Sequence, residues 1–145
     1  MKKLATIIFG LLLLTACTAE EKQYNYLFIG EGDFWKAEYV YRGTEVWKKE
    51  GERERYSYRD SDEFTLTYKG AKEELSTMKS LEYQYKTSGG SSTMQEEFDE
   101  PTSKVTFTQK GSSENGSKVS EDEVIQVQVE WDGHKEIFEL RNTNK

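Results

Sequence analysis

The chain has little of three residues on which chemistry and stability often rest. Its 145 residues include one cysteine, one proline and one histidine. A single cysteine excludes an internal disulfide, so a hydrophobic core has to carry the stability. One histidine and one cysteine also fall short of the ligand set of an ordinary zinc site. Positive charge is in deficit: 20 Lys and Arg stand against 27 Asp and Glu, a formal net charge of −7. Such a chain repels phosphates and anionic headgroups, which argues against nucleic acid as a partner and against electrostatic adhesion to a membrane. Long apolar runs are absent too. The longest, Leu4 to Leu14, is interrupted by Thr6 and Gly10. A bilayer-spanning helix needs roughly 20 apolar residues, so this run is too short for a permanent anchor.

Lys2 and Lys3 precede that run, which gives it the form of a secretory signal. The cysteine follows directly. The stretch "LTAC" places Leu14, Thr15 and Ala16 before Cys17. It resembles the lipobox of bacterial lipoproteins, whose cysteine thiol is diacylglyceryl-modified before the signal is cut just ahead of it. The resemblance implies that Leu14, Thr15 and Ala16 are the signal-peptidase recognition positions and that Cys17 is the lipidated first residue. Two acyl chains anchor far more durably than one, because each buried CH₂ contributes about 0.8 kcal/mol. Loss of residues 1–16 takes away Lys2 and Lys3 and moves the net charge from −7 to −9. The expected organisation is a signal helix at 1–16, a lipidated cysteine and polar tether at 17–23, and one folded domain at 24–145.

Within that domain apolar and polar residues alternate with period two, the pattern of half-buried strands. Trp35, Ala37, Tyr39 and Tyr41 share one face. The same holds for Leu81, Tyr83 and Tyr85, for Val105 and Phe107, and for Ile125, Val127, Val129 and Trp131. Asp132-Gly133 between alternating segments predicts a type I′ hairpin with Trp131 opposite His134, Val129 opposite Glu136, Val127 opposite Phe138 and Ile125 opposite Leu140. A second hairpin is expected around Asp60-Ser61-Asp62, pairing Tyr58 with Phe64 and Tyr56 with Leu66. Helical spacing is confined to Ala71–Ser80, where Leu75 and Met78 suit one turn or a loop. Thr87–Lys104, with an edge strand near Met94–Phe98, and Gly111–Glu123 read as loops. The expected fold is all-β: an antiparallel, Ig-like β-sandwich of seven to eight strands.

Chemistry-bearing patterns are sparse. His134 lies two residues from Asp132 across a tight turn, a poor arrangement for an oriented general base. "DSDEFT", Asp60 to Thr65, begins like a calcium loop but lacks the glycine at its sixth position and the glutamate at its twelfth. "RERYSYR" interleaves arginines with tyrosines, which alternation explains as arginines outward and tyrosines inward. "NGS", Asn115 to Ser117, reads as a turn. "GEGDFW" departs from the lipocalin Gly-x-Trp opening, since two residues separate Gly32 from Trp35.

Three short motifs resemble a group of small uncharacterised lipoproteins of Bacillus-like Gram-positive bacteria. They are Gly30, Glu31 and Trp35; Tyr68, Lys69 and Gly70; and Glu130, Trp131 and Gly133. That group implies a lipoprotein with a β-sandwich and brings no established activity. The expectation is a monomeric, non-catalytic binding or envelope-interaction module, held on the extracytoplasmic face of the cell membrane by Cys17, without cofactor or metal. Its partner is an unspecified protein or small ligand. The alternative is a small-ligand or calcium-binding β-barrel or sandwich module.

Overall fold

A computed structural model describes residues 18–144 of the chain. The predicted signal helix and Leu14, Thr15, Ala16 and Cys17 lie outside the described residues. Eight strands account for most of the rest. Three long ones form a meander: β1 (Ala19–Glu31), β2 (Trp35–Glu50) and β3 (Arg53–Tyr68). A 3₁₀ turn at Lys72–Thr77 follows, burying Leu75 and, just after it, Met78. The shorter strands are β4 (Ser80–Thr87), β5 (Gly90–Glu97), β6 (Thr106–Glu114), β7 (Val124–Trp131) and β8 (His134–Asn142).

All eight belong to one antiparallel sheet in the order β5-β4-β7-β8-β1-β2-β3-β6. The fold is all-β, as expected. The two layers of the sandwich are two halves of one curled sheet, because β8 pairs with both β7 and β1. Aromatic rings join the halves face to face. Phe64 of β3 stacks on Tyr85 of β4 with centroids 4.2 Å apart, and Tyr39 of β2 meets Tyr85 at 5.7 Å. Such pairs contribute roughly 0.5–1.5 kcal/mol beyond their buried area.

The turns follow from their residues. Asp132 and Gly133 both take positive φ, +44° and +80°, which is the type I′ requirement. The register of β7 and β8 is the one read from sequence, from Trp131↔His134 out to Ile125↔Leu140. Gly51, at φ +64°, takes the first position of the two-residue turn between Glu50 and Arg53, where a side chain would be strained.

Three expectations need correction. Asp60-Ser61-Asp62 is no hairpin loop. These residues run straight through β3, paired to Gly43, Arg42 and Tyr41 on one side and to Ser113, Ser112 and Gly111 on the other. The central strand tolerates them because Asp60 is satisfied internally, accepting from the Ser113 backbone N–H at 3.0 Å, the Ser113 hydroxyl at 2.7 Å and the Tyr41 hydroxyl at 2.9 Å. Ala19 to Gln23, read as tether, is the first part of β1 and pairs with Lys48 to Thr44 of β2. It is polar because neither face of that segment is covered. The two expected loops are shorter than thought: β5 begins at Gly90 and β6 runs on to Glu114.

Candidate functional site

β1, β2 and β3 outrun their neighbours at one end. β8 ends its pairing on β1 at Phe28↔Asn142, and β6 ends on β3 at Arg59↔Glu114. Beyond those points residues 19–24, 44–50 and 53–58 continue as a three-stranded platform. The inward face of each strand keeps its parity, so the core-facing row Tyr39, Tyr41, Gly43 of β2 continues as Glu45 and Trp47. Opposite stand Tyr56 and Tyr58 of β3, and on the other side Tyr24 of β1. Tyr56 is 48% exposed, although it lies on the inward face, because the opposite half of the sheet does not reach it.

Glu45 is the exception on this row: a carboxylate only 4% exposed. A buried charge persists only when it is paired and hydrogen-bonded. Glu45 meets both conditions. It accepts the Tyr24 hydroxyl at 2.7 Å and the Tyr56 hydroxyl at 3.0 Å, and it pairs with the ammonium of Lys118. Lys118 comes from the loop between β6 and β7. Its Nζ also lies over the rings of Tyr58, Tyr56 and Tyr24, at 4.9, 5.4 and 5.9 Å from their centroids. Each distance is within cation–π range, where a contact contributes roughly 0.5–2 kcal/mol.

A tyrosine network adjoins this cage. Tyr41 and Tyr58 share a hydroxyl–hydroxyl contact, and Tyr41 donates onward to Asp60 at 2.9 Å. Gly43 makes the contact possible, since a Cβ there would sit 2.5 Å from the Tyr58 hydroxyl oxygen. Burial, then the Tyr58 hydrogen bond, raises the Tyr41 phenol far above its ordinary range, and burial raises Tyr58 as well. A cleft of about 200 Å³ opens beside the network where the edges of β5 and β6 part; Tyr39, Tyr85, Asp60 and Asp62 are among its walls. Burial and the neighbouring Asp60 raise the Asp62 carboxyl above the usual value. Val119 is buried between cleft and cage and lines both.

The residues singled out from sequence lie mostly at the other end, where they build a structural lock. Trp35 packs edge-on against Tyr68 at 5.1 Å and Trp131 at 5.7 Å. Lys69 pairs with Glu31 at 3.2 Å and donates to the Gly32 carbonyl at 2.8 Å. All three motifs of the lipoprotein resemblance therefore meet in one cluster. His134 stacks on Trp131, with centroids 5.4 Å apart. Asp132 does not orient it; its carboxylate accepts the backbone N–H groups of Lys79 and Ser80, each at 3.0 Å. Asn115 takes φ +54° and exchanges two hydrogen bonds with the Tyr58 backbone, at 2.8 and 3.0 Å, which fastens the start of the β6–β7 loop.

Among the described residues, no group of three or more His, Cys, Asp or Glu is arranged to hold a metal ion, and no helix is long and apolar enough to cross a membrane. No family model, curated protein or solved structure matches the chain.

Glu45 and Lys118 escaped the sequence reading. Glu45 left a signal: a glutamate at an inward position of the series Trp35, Ala37, Tyr39, Tyr41, Gly43. Lys118 left none, because a lysine in a polar loop is indistinguishable from a solvated one.

Proposed function

We propose that the chain is a membrane-anchored extracytoplasmic lipoprotein whose β domain is a non-catalytic binding module. The observation that carries the binding reading is the platform. Tyr24, Trp47 and Tyr56 stand on paired strands, partly uncovered, with the buried Tyr58 beside them, and the hydroxyls of Tyr24 and Tyr56 converge on one buried carboxylate. Aromatic side chains held on rigid strands bind with little ordering cost, as interface anchors do.

The anchor reading rests on Leu14, Thr15, Ala16 and Cys17, and the position of β1 gives it a geometric consequence. Ala19 pairs with Lys48 near the outer end of the platform. Two residues reach at most about 7 Å, so acyl chains on Cys17 would hold the platform end of the domain towards the bilayer. Replacement of Cys17 by serine tests the anchor. Wild-type protein is expected in the membrane fraction and Cys17→Ser in the soluble extracytoplasmic fraction; membrane retention of the variant would overturn this reading.

A second reading, a small-ligand module, is favoured by the cleft at Asp60 and Asp62. Its calcium version predicts heat on Ca²⁺ titration that disappears in Asp62→Asn. A titration without heat removes it.

A further inference from the structure

We propose that Tyr24, Tyr56, Tyr58 and Glu45 form a receptor for small alkylammonium ions, and that Lys118 occupies it as a built-in, displaceable ligand. This gives the binding module of the preceding section its ligand class and rests on that reading.

The composition of the cage selects the ligand. Calcium or magnesium needs six or more oxygen donors. Here one carboxylate and three ring faces converge, a surface suited to an organic ammonium ion, whose N–H groups meet the carboxylate while its charge lies over the rings. The hydroxyls of Tyr24 and Tyr56 are committed to Glu45 at 2.7 and 3.0 Å, so those two rings are locked and the carboxylate stays oriented when the ammonium leaves. These bonds orient the site without the lysine, and the entering ion has to replace the positive charge that Lys118 supplies to Glu45.

The occupant is held differently. The Lys118 side chain is 42% exposed, against 5% for that of Glu45, so the cage opens outward past the lysine. The loop backbone is secured on both sides of the side chain. The Lys118 carbonyl accepts from the Ser88 hydroxyl at 2.8 Å, Val119 is buried, and Asn115 is bonded to Tyr58. Exchange therefore requires the lysine side chain to swing out, while the loop keeps its place. A tethered group competes at an effective concentration on the order of millimolar or above. Wild-type affinity for a free ammonium ion is correspondingly weak, and removal of the tethered competitor exposes the full affinity.

The test is a titration of wild type, Lys118→Ala and the double variant Lys118→Ala/Glu45→Gln with n-propylammonium, the fragment that the alanine substitution deletes. Tyrosine fluorescence and NMR follow binding, with NaCl of equal ionic strength as the control. Lys118→Ala is expected to bind at least tenfold more tightly than wild type, and the double variant to lose that gain. An affinity in Lys118→Ala no greater than in wild type, or a gain that survives Glu45→Gln, would overturn the proposal. If Lys118→Ala does not fold, wild type is titrated alone and the Lys118 Nζ resonance followed. Displacement moves it to the position of solvated lysines; a resonance unmoved at saturating ion overturns the proposal. Failure here beside release of Cys17→Ser from membranes would remove the ammonium ligand and leave the anchored module standing. Binding here with Cys17→Ser retained would do the reverse.

Discussion

Glu136 of β8 accepts the backbone N–H of Trp35 at 3.0 Å, across the end of the curled sheet. The same carboxylate takes the N–H of Phe34 at 3.1 Å and that of Asp33. One side chain thus satisfies three successive donors of the β1–β2 turn and ties it to the β7–β8 hairpin. Charged hydrogen bonds of this kind contribute roughly 1.5–3 kcal/mol, and partial exposure of the site lowers that. Glu136→Ala is expected to cost about 1–2 kcal/mol in urea denaturation. An unchanged midpoint would show that the lock is ornamental.

The stacking of Phe64 on Tyr85 is expected to dominate stability. Both are core residues from opposite halves of the sheet. Phe64→Ala should cost ~3–5 kcal/mol, the usual range for a buried phenylalanine. Tyr56→Ala, on the platform, should cost less, about 1–2 kcal/mol, since a half-exposed ring leaves no cavity and the main loss is one hydrogen bond to Glu45. Equal costs at the two sites would contradict the view that the platform lies outside the core.

Alkaline titration separates the tyrosines. The chain has nine. Burial, then Glu96, pushes Tyr83 up to about 12; the hydrogen bond from Tyr68 to Glu74, then burial, pushes Tyr68 up to about 12. Burial raises Tyr39 and Tyr41 further. A raised phenol binds its proton more tightly in the folded state. Its stabilisation is therefore complete below the unfolded value of 10.0 and is lost as pH rises through 12. Ultraviolet phenolate titration should show an early group and a late group that appears with unfolding. Glu74→Gln should move Tyr68 back towards the early group. A single phase near pH 10 would contradict the burial pattern.

Asp62 carries the opposite consequence at acid pH. Burial and Asp60 raise its carboxyl, so the folded state takes up a proton before the unfolded chain does. Ionised Asp62 therefore disfavours the fold at neutral pH, and this penalty fades as pH falls through its folded value towards 3.8. Asp62→Asn is expected to raise the melting temperature at pH 7 and to lose that advantage near pH 4. A lower melting temperature at pH 7 would mean that Asp62 has a stabilising partner.

Parity carried most of what the sequence revealed. Val127, Val129, Phe138 and Leu140 are buried as the alternation demanded, because a one-residue slip would turn them all to solvent. The same parity misled at Asp60-Ser61-Asp62. Tyr58 and Phe64 share a face whether the chain turns between them or runs straight, so alternation could not choose, and the polar triplet suggested a turn. The deciding fact was the ladder to Gly43 and to Ser113, which is nonlocal. The platform was hidden for a related reason. Its residues alternate as core strands do, and they are left partly uncovered only because the opposite half of the sheet does not reach them. The lock of Trp35, Tyr68 and Trp131 was visible as separate motifs; their meeting depends on closure of the sheet.

The measurement that bears most directly on the proposed anchoring is mass spectrometry of the N-terminal peptide of protein isolated from bacterial membranes. The expected result is a peptide that starts at Cys17 with a diacylglyceryl thioether on its sulfur. A peptide that starts at Met1 and contains an unmodified Cys17 thiol would contradict it.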